Sequence, residues 1–264
     1  MANGGGTGRA FRHNAGKMNQ VVVVTGGASG TGLAVVERLL DDGWFVAVVD
    51  ADSAALAEAE DLLSGEEAIF LAADVTDEDE VAEAFDTAVE TFGLLTALVN
   101  CAGVRRETAF EETNAELFRQ VLDINLVGSL IASQAALERM GESMGIVNLS
   151  SVSGLRATAG SAAYGAAKAG VKMMTETMAL ELAGRSVRVN CVAPGLIEPP
   201  ATVFDEDMDH RRAWLEHTPQ GRFPTHREVA SAVAYLLSPE AGSVNGHTLV
   251  VDGGFSIAGL PRVD

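Results

Sequence analysis

Four consecutive valines, Val21 to Val24, lead into a cluster of glycines. An unbroken β-branched run of this kind predicts a strand at 20–25 covered on both faces, as in a parallel sheet, because a half-exposed strand would alternate apolar and polar positions. After Gly32, apolar Leu33, Val36, Leu39 and Leu40 recur at helical spacing as far as Asp42, and Gly43 supplies a C-cap. A second strand follows at 44–50, and the alternation then repeats: helix 53–63, strand 68–73, helix 77–92, strand 94–100, a long helical stretch 114–139, strand 145–150, helix 162–183 and strand 186–192. Pro194, Pro199 and Pro200 interrupt regular structure, 205–216 predicts a short helix within a longer insertion, and helix 226–237 leads to a last strand at 247–251. Seven strands joined by six helical connections predict an α/β fold whose mainly parallel sheet is doubly wound, with helices on both faces. No repeat or linker divides 20–264, so one domain is expected there, behind a Gly-rich basic segment at 1–19 expected to be a flexible tail.

Composition narrows the partners. With 264 residues, 47% of them hydrophobic, the chain can build a large core without staples. Eighteen Lys plus Arg against 37 Asp plus Glu give a net charge of −19, a field that repels phosphate backbones and anionic lipid, so neither nucleic acid nor a membrane is expected as a partner. No apolar run in the sequence approaches the roughly 20 residues of a membrane span, and 1–19 contains no apolar core of a secretory signal. Two cysteines, Cys101 and Cys191, argue against a disulfide scaffold and a Cys-rich metal module; no metal site is expected, and free thiols suit a reducing cytoplasm.

The first candidate chemistry is the turn after the first strand, with Thr25, Gly26, Ser29, Gly30, Thr31 and Gly32. Glycines there allow a tight turn and let a pyrophosphate reach the N–H groups and positive dipole end of the following helix. Asp50 closes the second strand about 20 residues on, where a carboxylate accepts hydrogen bonds from ribose hydroxyls and repels a 2′-phosphate. Neither Ser29, Ala51 nor Asp52 offers that phosphate a cation, so NAD is expected over NADP.

The second is Tyr164 and Lys168, four residues apart on one helix face, with Ser151 just beyond a strand's carboxyl end, where open α/β sheets place their ligands. A phenol is a poor base at neutral pH unless a neighbouring ammonium favours its phenolate, and Lys168 is the expected ammonium.

T-G-G-A-S-G-T-G at 25–32, N-C-A-G at 100–103, Ser151 placed 13 residues before Tyr164, and Y-G-A-A-K at 164–168 together resemble the short-chain dehydrogenase/reductase family in its single-domain form, over about 21–255. The resemblance implies a Rossmann-type sheet of order 3-2-1-4-5-6-7 and a homotetramer or homodimer. It implies Tyr164 as general acid/base, Ser151 holding the substrate oxygen, Lys168 tuning Tyr164 and binding the nicotinamide ribose, and Asn125 holding a relay water. Asp74 and Val75 in A-D-V match the adenine contact; Asn100, Ala102 and Gly103 match the loop beside the adenosine ribose; Pro194, Gly195 and Ile197 match the turn beside the nicotinamide. Gly246 and V-D-G-G at 251–254 match the family's last strand and turn. Cys101 replaces a common asparagine. Pro199 stands where many relatives carry a threonine that bonds the carboxamide, and Thr202 is the candidate to replace it.

The substrate is expected under the insertion at about 196–225, where Phe204, Met208, Trp214 and Phe223 are candidate lid residues or loop anchors. Arg105, Arg106 and Arg156 are either surface arginines or anchors for a substrate carboxylate or CoA phosphate. The leading expectation is an NAD-dependent enzyme that moves a hydride between nicotinamide and a small secondary alcohol or ketone. The alternatives are a 3-oxoacyl thioester reductase, disfavoured by Asp50 because such reductases usually draw on NADPH, and a non-catalytic nucleotide sensor, which would need none of Ser151, Tyr164, Lys168 and Asn125.

Overall fold

The computed structural model describes residues 20–197 and 208–258. The expected tail at 1–19, and the candidates Pro199, Pro200, Thr202 and Phe204, lie outside them. Strands β1 (Val21–Thr25), β2 (Phe45–Asp50), β3 (Ala68–Ala72), β4 (Leu95–Asn100), β5 (Met140–Leu149), β6 (Val187–Pro194) and β7 (Thr248–Val251) form one sheet of order β3-β2-β1-β4-β5-β6-β7, and every neighbouring pair is parallel. The valine run is central and wholly buried. Val22 and Val24 enter the core beneath helices α1 (Gly30–Asp41) and α8 (His226–Leu237), with Val35, Val36, Val229 and Val233. Val21 and Val23 enter the opposite core with Val81, Phe85 and Ala132, beneath α3 (Glu78–Phe92) and α5 (Gly128–Glu138). A two-sided core is why the sequence shows apolar residues without alternation.

Helices α2 (Ser53–Leu62), α3, α4 (Ala115–Leu122) and α8 start at Asp52, Asp77, Asn114 and Thr225, whose side chains accept backbone N–H bonds. Helix α1 differs: its N-cap Ser29 makes no side-chain capping bond and no acidic residue stands in its first turn, so nothing anionic competes for that end. It also begins at Gly30, three residues ahead of the apolar periodicity that starts at Leu33, because Gly30, Thr31 and Gly32 belong to the helix without adding an apolar side chain to its pattern.

Two elements depart from expectation. Strand β5 starts at Met140, with a register irregularity between its pairings to Leu95 and Ala97, where polar Glu142 and Ser143 hide the strand from a hydrophobic pattern. The helical stretch 114–139 is not one helix: α4 and α5 are joined by a π-helical turn, Asp123–Val127, closed by a bond from the Gly128 N–H to the Asp123 carbonyl. The run Ala115–Glu138 has the length and hydropathy of a membrane-crossing helix. It lies against α3 and against α6 (Ala162–Leu182) and buries Asn125, Ser129 and Ser133, as a core helix does.

Candidate active site

The carboxyl ends of β1, β4, β5 and β6 face the helix N-termini and open into two adjoining cavities. One is lined by Gly26, Ser29, Gly30, Thr31, Gly32, Asp50, Asp74, Val75, Ala102 and Gly103. The other holds Thr31, Gly103, Asn125, Ser151, Tyr164, Lys168, Pro194, Gly195 and Ile197. Thr31, Cys101, Gly103 and Val104 line both, so the two cavities join around the glycine turn and the loop after β4.

The glycine turn is as tight as backbone allows. A Cβ on Gly32 would stand 1.9 Å from the Gly26 carbonyl oxygen, and one on Gly26, at φ +63°, would stand 2.6 Å from Ala102 Cα. At the end of β2, Asp50 accepts the Ala28 N–H through Oδ2 and the Asp52 N–H through Oδ1, both at 3.1 Å. Asp74 is fixed by the Thr76 N–H at 2.9 Å and the Thr76 hydroxyl at 2.8 Å.

In the second cavity, α6 is pinned to the end of β5 by two bonds: the Ser150 hydroxyl donates to the Lys168 carbonyl at 2.7 Å, and Lys168 Nζ donates to the Leu149 carbonyl at 2.9 Å. Gly154, in the short 3₁₀ turn Val152–Gly154, lets the turn touch α6, where a Cβ would stand 2.6 Å from Lys168 C. Ser151 is thereby brought beside Tyr164 in the same cavity, its hydroxyl accepting the Ser153 N–H at 3.2 Å. Lys168 is buried, and burial pulls its pKa down to about 8. Its Nζ lies 5.7 Å from the Tyr164 ring centroid.

The electrostatics of Tyr164 differ from expectation. Burial pushes its pKa up, and the groups that oppose burial are the Ser151 hydrogen bond and the charge of Arg105; Lys168 is not among them. Arg105, in the loop after β4, lines the same cavity and pairs with Glu107. Arg156 instead reaches the Ser256 carbonyl. Cys101 lines both cavities, and burial pushes its thiol up to about 12.

Asn125 sits in the π turn, fully buried, and donates through Nδ2 to the Val104 and Val121 carbonyls, both at 2.9 Å. Its Oδ1 is buried and unpartnered. A Cβ on Gly103 would lie 2.5 Å from that oxygen and 3.3 Å from Lys168 Nζ, so the acceptor and the ammonium face the same small space. An orphan acceptor beside an incompletely satisfied ammonium suits a bridging water.

Asn100 makes its side-chain bonds inside the protein. It lines neither cavity; its Nδ2 donates to Asn148 Oδ1 at 2.8 Å and Ser133 Oγ at 3.1 Å, and Asn148 in turn donates to Thr175 Oγ1 at 2.8 Å. Its side chain points from the strand end into the sheet–α5 contact, and the following residues alone form the loop wall. Asn148 was missed because one asparagine in a buried strand carries no spacing signal. Ile124 and Trp214 were missed as wall residues, Trp214 having been read only as lid or anchor. Trp214, in α7 (Met208–Glu216), lines the second cavity and stacks on Phe255 with centroids 4.4 Å apart, while Phe223 is buried in the same cluster. His226 was also missed; its contact with Thr31 spans 195 residues of sequence.

The comparisons agree with this geometry. A family model described as Enoyl-(Acyl carrier protein) reductase matches residues 26–256. Cis-4-hydroxycyclohexanecarboxylate dehydrogenase of Sinomonas cyclohexanicum is 39% identical over 244 residues, covering 90% of this chain and 96% of that protein. The 3-oxoacyl-(acyl-carrier-protein) reductase FabG of Vibrio harveyi is 38% identical over 240 residues, covering 89% of this chain and 96% of that one. The crystal structure of gox2181 superposes with a TM-score of 0.86 at 36% identity, covering 90% of this chain and 96% of that one.

Proposed function

The chain belongs to the short-chain dehydrogenase/reductase family, and we propose that it moves a hydride between NAD and a small secondary alcohol or its ketone, with Tyr164 as the proton-transfer group. The observation that carries this reading is the meeting of Ser151, Tyr164, Lys168 and Asn125 in one cavity that continues, past Thr31 and Gly103, into the cavity holding the glycine turn and Asp50. The residues suit a dinucleotide: Gly26 and Gly32 let the turn close on itself and on the loop after β4, which leaves the α1 N-terminus facing the cavity, and that N-terminus is uncapped by acid.

When bound, nicotinamide supplies the hydride acceptor. This chain's residues handle the proton. Ser151 donates to or accepts from the substrate oxygen, holding it against Tyr164. In alcohol oxidation the Tyr164 phenolate takes the hydroxyl proton; in ketone reduction the phenol returns it. Lys168 bonds the nicotinamide ribose, and the Asn125 Oδ1 holds a water that passes the proton outward. A screen of secondary alcohols, including hydroxylated cycloalkane carboxylates, read as NADH absorbance, tests the reading; no turnover by any of them at alkaline pH would count against it.

The preference for NAD rests on Asp50, which lines the adenosine cavity in the absence of any Lys or Arg among the described lining residues. NAD is expected to bind at least about tenfold more tightly than NADP, and Asp50→Ala to narrow the ratio, since a carboxylate against a phosphate costs like-charge repulsion. Calorimetric titration of both cofactors decides it, and equal affinities in the wild-type protein would sink it. The relative from Vibrio harveyi favours a second reading, a 3-oxoacyl thioester reductase; NADPH oxidation with acetoacetyl-CoA faster than any alcohol reaction would select it.

A homodimer or homotetramer is supported by the outer faces of α5 and α6, which expose Leu130, Met173 and Leu180. The small residues of α6 contribute less than their number suggests: Gly165, Ala167 and Gly170 are turned against Ser153, the core and Leu126, leaving Ala166 and Ala169 outward. Light scattering at micromolar concentration is expected to give twice or four times the chain mass, and a monomer there would contradict this. The free thiols of Cys101 and Cys191 support a reducing cytoplasm as the working compartment.

A further inference from the structure

His226 is the first residue of α8, a helix fixed by a complete capping box between Thr225 and Glu228. Its half-buried ring lines the catalytic cavity, and its Nδ1 lies 2.9 Å from Thr31 Oγ1. Thr31 lines both cavities, and a Cβ on the neighbouring Gly30 would stand 3.7 Å from His226 Cε1. The imidazole and the threonine hydroxyl thus occupy the place where the first turn of α1 meets the passage between the cavities, which is where a dinucleotide's diphosphate would cross. This rests on the dinucleotide reading given above.

We propose that Thr31 and His226 act as a coupled pair at the cofactor diphosphate, so that binding takes up a proton on the imidazole and nicotinamide cofactors bind more tightly as pH falls. The reason lies in donor counting. A neutral ring that accepts at Nδ1 holds the Thr31 hydroxyl proton. An imidazolium has donors at both nitrogens and no acceptor, so Nδ1–H bonds Thr31 Oγ1 and the Thr31 proton is released towards a phosphate oxygen. The positive charge then stands beside the anion as well. Burial depresses the His226 pKa in the free protein, so the ring starts neutral at pH 7 and the diphosphate raises its pKa; affinity therefore grows as pH drops through the raised value.

Other charged groups stand around this end, among them Arg211 of α7, 5.5 Å over the Phe223 ring. Beside His226 stand Arg227 and the pair Arg222–Glu228, in which Arg222 and Thr225 hold Glu228 down at about 2, so it stays ionised. On α1 the charges Glu37, Arg38, Asp41 and Asp42 all lie in the last turns, away from Thr31. Asp252, after β7, is engaged with the Gly254 and Ser256 N–H groups. Glu142 on β5, Arg188 on β6 and His247 before β7 lie at the strands' opposite ends. Across the cavity are Cys101, Arg105, Tyr164 and Lys168. Of these, Lys168 at about 8 titrates at the upper edge of the range, and its effect persists when His226 is replaced.

The test is NADH binding, followed by fluorescence and by calorimetry in two buffers of different ionisation enthalpy, between about pH 6 and pH 8, for the wild-type protein, His226→Asn and His226→Ala. The wild type is expected to bind roughly three- to tenfold more tightly at the acid end and to take up a fraction of a proton near pH 7. His226→Asn and His226→Ala are both expected to lose the added acid-side tightening and the proton uptake while melting normally, with His226→Asn, which can still bond Thr31, binding NADH more tightly than His226→Ala at pH 8. Equal proton uptake in wild type and His226→Asn, or a wild-type affinity independent of pH, overturns the proposal. Folded wild type that binds no NADH at any pH overturns the dinucleotide reading itself.

Discussion

Tyr164→Phe is expected to lower kcat by about 10² to 10⁴ while leaving NADH affinity within about twofold, because the ring still packs against the cluster of Val121, Ala163 and Ala167 and only the transferable proton is lost. The hydroxyl proton of an alcohol has to leave as the hydride does, and no other described residue in the cavity combines contact with Ser151 and a neighbouring cation. Single-turnover measurements decide it, and near-parental kcat in the variant would remove Tyr164 from the role. The pH profile checks the same claim. Burial raises the phenol's pKa and Arg105 lowers it, so alcohol oxidation should climb with pH as the phenolate forms. Arg105→Gln removes a cation that favours phenolate, which moves the climb to higher pH; in Tyr164→Phe the climb should vanish. An unmoved limb in Arg105→Gln would detach Arg105 from Tyr164.

Gly103→Ala is expected to cost about 10²-fold in kcat, the scale of an ångström-sized misplacement at a reacting centre. The added methyl would stand 2.5 Å from Asn125 Oδ1 and 3.3 Å from Lys168 Nζ. Neither neighbour yields freely: Asn125 is held by the Val104 and Val121 carbonyls and Lys168 by the Leu149 carbonyl. Stability should fall by about 1 to 3 kcal/mol, the usual range for overpacking, so the variant should remain folded when assayed. Gly184, with open space where its Cβ would go, is the matched control. Full activity in Gly103→Ala would show that the space shared by Asn125 and Lys168 is not used.

The parallel sheet was legible because its central strands are buried on both faces and therefore apolar without interruption, as in Val21 to Val24. The glycine turn, Asp50, Ser151, Tyr164 and Lys168 were legible because backbone clearance and helical spacing leave marks in single segments. What escaped depends on contacts between distant segments or on geometry that leaves no periodic trace. Thr31 and His226 meet from opposite ends of the chain; the Asn100–Asn148–Thr175 chain of hydrogen bonds joins two strands and a helix. The π turn was invisible because widening a helix by one turn leaves its apolar residues close to helical spacing.

That turn ties protein integrity to proton handling. The same Asn125 that offers Oδ1 to the cavity uses Nδ2 to satisfy the buried Val121 carbonyl and the half-buried Val104 carbonyl, and Ser129 Oγ bonds the carbonyl of Asn125 itself at 3.1 Å. Truncating Asn125 to alanine would strip partners from Val104 and Val121 at roughly 1 to 3 kcal/mol each as well as removing the water's anchor. A loss of rate in such a variant therefore conflates two injuries, and only a melting curve measured beside kcat separates them.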